Sequence, residues 1–199
     1  MPTLVIVAGP NGSGKTTLVR SGILSQVLNV PQTSINADDF AKALASGGQP
    51  TDAQSLEAAR ESDARLDAEI AAGRSVMVET VLSSDKYKSR VTAARTAGYR
   101  FVLIYVSVKI ADLNVERVGL RLNLGGHDVP RARILSRRDR SHRMFRWFAE
   151  QADQVFVFDN STVLPRVAAF KDGDRWALPN LELLAPDLAF EVVSASKHP

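Results

Sequence analysis

The chain constrains its own fold most sharply at Gly9-Pro10-Asn11-Gly12-Ser13-Gly14-Lys15-Thr16, which fills the pattern G-x-x-x-x-G-K-[S/T]. Directly before it, residues 4–8 (Leu-Val-Ile-Val-Ala) read as a buried strand, and directly after it Thr17-Leu18-Val19-Arg20 opens a helix. The pattern carries chemical meaning in that strand–loop–helix setting. Its glycines let the backbone curl around an anion, and successive N–H groups point inward at a helix N-terminus. Nucleotide binding is therefore assigned to Gly9, Pro10, Asn11, Gly12, Ser13, Gly14, Lys15, Thr16 and Thr17. Lys15 is placed to reach the β- and γ-phosphates, and the Thr16 hydroxyl is the candidate metal ligand. The cofactors this implies are ATP or GTP, with Mg²⁺.

With 199 residues, 45% of them hydrophobic, the chain can bury a core without a second lobe. The expectation is one domain over residues 1–199, with a core of 1–160 and an extension of 161–199. Cysteine is absent, which excludes disulfides and thiolate metal sites. No apolar run approaches the ~20 residues of a membrane span, and the first strand is too short for a signal peptide. A soluble, cytoplasmic protein with no membrane partner is expected. The net charge of +3 does not by itself argue for nucleic acid. The distribution of charge is more informative, because Arg117 to Arg146 contains nine arginines, no lysine and only Asp128 and Asp139 as acids. Arginine without lysine suits bidentate recognition of phosphate, although nine are too many for one site and some must lie on a solvated face.

Strands alternate with helices along the rest of the chain. The phosphate-loop helix is expected to run to residue 28, followed by a short strand at 33–36 and a helix at 38–45. Thr51 can cap a long helix to residue 72, with Leu56, Ala59, Leu66 and Ile70 on its apolar face and Gly73 closing it. A strand at 75–79 precedes a helix that starts at Ser84 or Asp85 and runs to 97. Residues 101–108 are the most apolar strand, in the manner of a parallel strand covered on both faces. Helices at 112–124 and 130–152 follow, the second with Pro130 as its first residue, and then a fifth strand at 155–158. Five strands alternating with helices imply an α/β fold of the P-loop NTPase type, with a doubly wound, five-stranded parallel sheet and flanking helices. Residues 167–170 and 175–178 are expected to form a C-terminal β-hairpin. The sequence places nothing from residue 182 onward. Leu44-Ala45-Ser46-Gly47-Gly48-Gln49 has the letters of an ABC-transporter signature but trails a helix only about thirty residues past the loop, so it is read as a helix-ending turn.

Polar residues mark the ends of the next two strands. Asp38, with Asp39, follows the second, and Glu79-Thr80 ends the third. A kinase needs a carboxylate near the γ-phosphate to accept the proton of the attacking hydroxyl. It also needs polar groups for the metal's water shell and for the acceptor. Asp38 is a candidate base, with an N-cap as the competing role. Glu79 has less structural reason to stand there. After the fifth strand, Asn160 is a candidate for holding the base, and Asp159 is read as structural or base-binding in preference to a Mg²⁺ ligand.

Taken together, the phosphate loop, Ile35-Asn36-Ala37-Asp38-Asp39, Val78-Glu79-Thr80, Glu116-Arg117-Val118, Arg121, Gly125-Gly126-His127-Asp128-Val129-Pro130 and Ser136-Arg137-Arg138 resemble the zeta toxin family of P-loop kinases. The resemblance covers roughly residues 4 to 160, in order. It implies an ATP- or GTP-dependent kinase acting on a small-molecule hydroxyl, in the best-known members the 3′-hydroxyl of UDP-N-acetylglucosamine, and an antitoxin protein as partner. By position it makes Asp38 the catalytic base and Lys15 the phosphate-binding lysine. Arg117, Arg121 and His127 fall in the region that neutralises the transferring phosphoryl group, and Glu79 and Thr80 in the acceptor-binding segment. Arg137 and Arg138 would close over the nucleotide. Where toxins that use the UDP-sugar carry a basic residue after the Glu-Thr pair, this chain reads Val81-Leu82-Ser83-Ser84, and His127 stands where they have arginine. Two other readings compete: a kinase of nucleic-acid ends using the arginine-rich stretch, and a nucleotide-gated binding protein without transfer chemistry.

Overall fold

The computed structural model describes residues 1–28, 30–46, 48–123 and 129–197. In chain order its elements are β1 (Thr3–Ala8), α1 (Lys15–Arg20), α2 (Ile23–Val27), β2 (Ser34–Ile35), α3 (Ala37–Leu44), α4 (Asp52–Ala71), β3 (Val76–Thr80), α5 (Lys88–Thr96), β4 (Arg100–Ser107), α6 (Ala111–Asn123), α7 (Arg131–Gln151), β5 (Gln154–Asp159), β6 (Arg166–Asp172), β7 (Arg175–Ala177) and α8 (Pro186–Ser196). The strands form one sheet in the order β2-β3-β1-β4-β5-β6-β7. The first five run parallel, and β6 and β7 are antiparallel additions at the β5 edge. The expected hairpin is therefore present, and it extends the five parallel strands to seven.

Alternate residues of the central strands serve different faces. Leu4, Ile6, Leu103 and Tyr105 belong to one buried cluster, whereas Val5, Val7, Val102, Ile104 and Val106 belong to another. A strand covered on both sides has no solvated face to mark with polar residues, which explains the near-continuous apolar runs. The register aligns Ala8 with Thr80 on one side and with Tyr105 on the other. The loop that leaves β1 thus emerges between the ends of β3 and β4, at the carboxyl edge of the parallel strands, where α/β sheets bind ligands.

Several boundaries differ from expectation for local reasons. The helix after the loop divides at Ser21 and Gly22 into α1 and α2. Thr51 and Gln54 make a reciprocal capping box at the start of α4. That helix buries Ala58, Ser62 and Leu66, while Leu56 is 54% exposed. The buried stripe recurs at four-residue spacing and begins with two small residues, Ala58 and Ser62, which permit close packing; Leu56 lies off it. Pro130 is the N-cap of α7, one position earlier than expected.

The C-terminal segment docks onto the sheet and α7. The Lys171 ammonium in β6 is buried and donates to the carbonyls of Ala149 (3.0 Å) and Ala152 (2.8 Å) at the end of α7. A cation there meets the negative end of the helix. α8 begins with Pro186 in its first turn and buries Leu188, Val192 and Ala195 in the main core. Among the described residues no helix is long and apolar enough to cross a membrane.

Candidate active site

The phosphate loop is held from behind by two asparagines. Asn114 of α6 is fully buried and donates from Nδ2 to the Asn11 carbonyl at 2.7 Å. Asn160, just past β5, donates from Nδ2 to the Ser13 carbonyl at 2.8 Å. The same neighbours leave no room for side chains at two glycines, both of which adopt positive φ. A Cβ at Gly12 (φ 72°) would lie 2.4 Å from the Asn114 carbonyl oxygen, and one at Gly14 (φ 92°) would lie 2.1 Å from Asn160 Nδ2. Within the loop, Asn11 Oδ1 and Ser13 Oγ are buried with no hydrogen-bond partner. Lys15 folds back so that Nζ donates to the carbonyls of Gly9 (2.7 Å) and Pro10 (3.0 Å). Burial lowers its pKa to about 8; the carboxylates of Glu79 and Asp38 oppose the shift, and Arg121 adds to it.

Around this loop the β2 and β3 ends supply a polar rim. Thr16 Oγ1 donates to Glu79 Oε2 at 2.7 Å, and Asn36 Nδ2 approaches the same hydroxyl at 3.5 Å. A hydroxyl beside a carboxylate is an oxygen donor set suited to a hard cation such as Mg²⁺. Asn36, and not Asp38, caps α3: its Oδ1 accepts the Asp38 N–H at 2.9 Å. This leaves the Asp38 carboxylate 67% exposed, facing Arg121 Nη1 at 3.7 Å. Asp39 pairs instead with Arg20 at 2.9 Å. The Thr80 hydroxyl accepts from the Leu82 N–H at 3.1 Å, within a turn where buried Leu82 has φ 55°. That conformation costs a non-glycine residue roughly 1–3 kcal/mol, and here the core holds it.

Beyond the turn, a cleft of about 640 Å³ is lined by Ser83, Ser84 and Asp85 on one wall and by Arg137, Arg140 and Arg143 of α7 on another, with Lys88 beside them. The cleft and Asp38 share one electrostatic environment. Burial and the charges of Arg133 and Arg140 push the Arg137 guanidinium down, while Asp38 raises it.

The nine arginines divide among several tasks. Arg117 donates to the Asn160 carbonyl at 2.9 Å, behind the loop. Arg121 faces Asp38, Arg131 pairs with Asp112, and Arg146 with Glu150. Arg138, expected to close over the nucleotide, is instead only 5% exposed. It donates to Asn114 Oδ1 and to the carbonyls of Val108 and Lys109, each at 3.2 Å. Its place on the buried stripe of α7, with Ile134, Ser141, His142 and Phe145, turns it under the loop. Asn160 likewise directs its amide to the loop backbone. Asp159 is buried between Ser161, whose N–H and hydroxyl it accepts, and Arg166 at 2.8 Å. His127 lies outside the described residues, as do Gly125, Gly126 and Asp128, and also Gly47 of the helix-ending turn.

Sequence reasoning missed Asn114 as the support of the loop. Its signal was an asparagine four residues before Val118 on the buried stripe of α6, where an aliphatic residue would otherwise stand.

Comparison with known proteins places the chain in a family. The profile described as "AAA domain" matches residues 4–152. No curated protein matches the sequence. Among solved structures, a chain of the AvrRxo1-ORF1:-ORF2 complex with ATP superposes with a TM-score of 0.69 at 19% identity, over 94% of this chain and 64% of that one. A chain of the PezAT chromosomal toxin–antitoxin system of Streptococcus pneumoniae gives 0.64 at 14% identity, over 100% and 86%. A candidate kinase of Chloroflexus aurantiacus gives 0.54 at 25% identity, over 70% and 80%. The chain thus spans about two thirds, 64%, of the AvrRxo1 relative's length. The profile covers three quarters of the chain, including the glycine loop with its lysine and threonine, and the superposed structures match its sheet: the chain belongs to the AAA-domain family and has the fold of the zeta-toxin-like P-loop kinases.

Proposed function

We propose that this chain is a kinase, acting as one domain, that transfers the γ-phosphoryl group of ATP or GTP to a hydroxyl of a small molecule. The observation that carries the reading is the Asp38 carboxylate, which is relieved of capping by Asn36, exposed at the rim and faced by Arg121. Asp38 accepts the proton of the acceptor hydroxyl as that oxygen bonds to the γ-phosphorus and the bond to the leaving diphosphate breaks. Lys15 and the loop amides hold the phosphates, and Arg121 balances the charge that develops on the transferring group. Mg²⁺, when bound, would neutralise phosphate charge; Thr16 and Glu79 are the residues that would hold it. Arg117 and Asn160 keep the loop in shape from behind.

The basic cleft beside Ser83 and Ser84 supports an acceptor with an anionic portion, of which UDP-N-acetylglucosamine or another nucleotide-sugar is the proposed class. Arginines of α7 supply there the positive charge that the Val81-Leu82-Ser83-Ser84 segment lacks. An antitoxin partner and a cytoplasmic location go with this reading, since the Streptococcus pneumoniae neighbour comes from a toxin–antitoxin system. The test is phosphate transfer from γ-labelled ATP with Mg²⁺, using wild type and Asp38→Ala, against UDP-N-acetylglucosamine, a metabolite extract and RNA ends. Transfer to a small molecule, lost in the variant while ATP binding stays within about twofold of wild type, is expected. Equal turnover by the variant would exclude Asp38 as the base, and transfer to RNA alone would replace the acceptor class.

A further inference from the structure

α8 contributes one carboxylate to the ground beneath the phosphate loop. Asp187, in its first turn, accepts from His142 Nδ1 at 2.6 Å and faces Arg138 Nη1 at 3.8 Å. His142 is 1% exposed, and its Nε2 lies 3.2 Å from Ser107 Oγ at the end of β4. Arg138 Nε donates to Asn114 Oδ1 (3.2 Å), and Asn114 Nδ2 donates to the Asn11 carbonyl (2.7 Å). The Asn114 backbone carbonyl also sits directly under Gly12. A continuous path of polar contacts therefore runs from the C-terminal helix to the apex of the loop. The family profile ends at residue 152, so the carboxylate comes from outside the part of the chain that the family shares.

We infer that Asp187 is a positioning residue for the phosphate loop. Its charge holds Arg138 in the orientation that presents Nε to Asn114, and Asn114 in turn fixes the peptide between Asn11 and Gly12. Without the carboxylate, Arg138 keeps the Val108 and Lys109 carbonyls but loses its only anionic partner among the described residues, and His142 loses the charged acceptor at its Nδ1. The loop then samples shapes in which its amides no longer converge on one anion. Preorganised donors bind better than mobile ones because no ordering cost remains at binding. The inference rests on the nucleotide-binding reading for its functional consequence, though not for the loop's shape.

Two measurements on the full chain decide it. Hydrogen exchange of the loop peptide, residues 9–17, without nucleotide reads loop order directly. Titration with Mg·ATP reads affinity. For Asp187→Asn, exchange in the loop should rise and the Kd for Mg·ATP should weaken by about tenfold, with kcat within about twofold of wild type. Asp187→Glu should recover most of both. The Asp187 side chain is 49% exposed, so the variant is expected to fold. If it does not, Asn114→Ala combined with Asp187→Glu tests the same path, and the two effects should be coupled rather than additive. Unchanged loop exchange in a folded Asp187→Asn protein would overturn the inference, as would a loss of thermal stability with no change in Kd. A wild type that binds no ATP would overturn the nucleotide reading alone, because the exchange measurement does not depend on it.

Discussion

The rim of the phosphate loop and the ground beneath it are built from the same residue types, and hold them in opposite states. On the rim, Asp38 and Arg121 face each other at 3.7 Å, both exposed to solvent. Underneath, Arg138, Asn114 and His142 are buried, and hydrogen bonds engage Asn114 through both ends of its amide, His142 through both ring nitrogens, and Arg138 through Nε and Nη2. Exposed pairs of this kind contribute little to stability, whereas a buried polar group that loses its partner is costly. The groups proposed to meet substrate are left loosely held, and the groups beneath the loop are tied down by hydrogen bonds. Arg137 and Arg138 show the division at one step of sequence: the first lines the basic cleft, the second lies under the loop.

Breaking each side in turn gives the sharpest contrast. Arg121→Ala should lower kcat by about 10³-fold, as loss of a charge at a transferring phosphoryl group does, while the melting temperature stays within about 1 °C. Arg138→Ala should do the reverse. It leaves Asn114 Oδ1 and the Lys109 carbonyl without that donor and the Val108 carbonyl with only a long contact from Ser107, for a loss of about 3 kcal/mol and a drop of roughly 6–12 °C in melting temperature. Parallel thermal melts and initial rates would check both; an Arg121→Ala protein that melts far below wild type would erase the distinction.

A smaller effect follows from Lys15, whose pKa lies near 8 instead of 10.5. The protonated form binds phosphate, so ATP affinity should fall above about pH 8, by up to tenfold per pH unit. Because the folded pKa is lowered, the unfolded chain holds more protons between about 8 and 10.5, and stability should rise across that window. Affinity and melting measured at stepped pH would show the two trends running in opposite directions. The smallest effect is on acid stability and belongs to the titration of Asp187. The hydrogen bond from His142, helped by the His142 and Arg138 charges, holds its pKa at about 2 instead of 3.8. A depressed carboxylate stabilises above its ordinary pKa, and that contribution is lost as pH falls from about 4 to 2. The acid limb of a stability profile should be shallower in Asp187→Asn.

How much of this was legible depended on whether the signal was local. The glycine loop announced itself because strand, loop and helix are contiguous. Asp38 stood out at the end of β2, but whether it or its neighbours capped α3 was ambiguous, since Asn and Asp both cap well; only the geometry gives the cap to Asn36. Arg138 was misread as part of a lid because arginine is rarely buried, although its spacing from Ile134, Ser141 and Phe145 put it on the inner stripe. α8 escaped notice because its N-cap is Ala185, which offers no capping side chain, and because its apolar residues find their partners on α7, far away in sequence. The hairpin was legible as a hairpin. Its attachment to the sheet was not, because the six residues between β5 and β6 carry no two-residue turn signature that would mark them as antiparallel neighbours.

The buried ammonium of Lys171 also acts as a peg. β6 lies antiparallel to β5, with Lys171 opposite Val155. Shifting that strand by one residue would send every side chain to the wrong face and would pull the charge off the last carbonyls of α7. A misaligned edge therefore meets two penalties at once, one apolar and one electrostatic, and the segment from β6 onward is delivered to a single alignment.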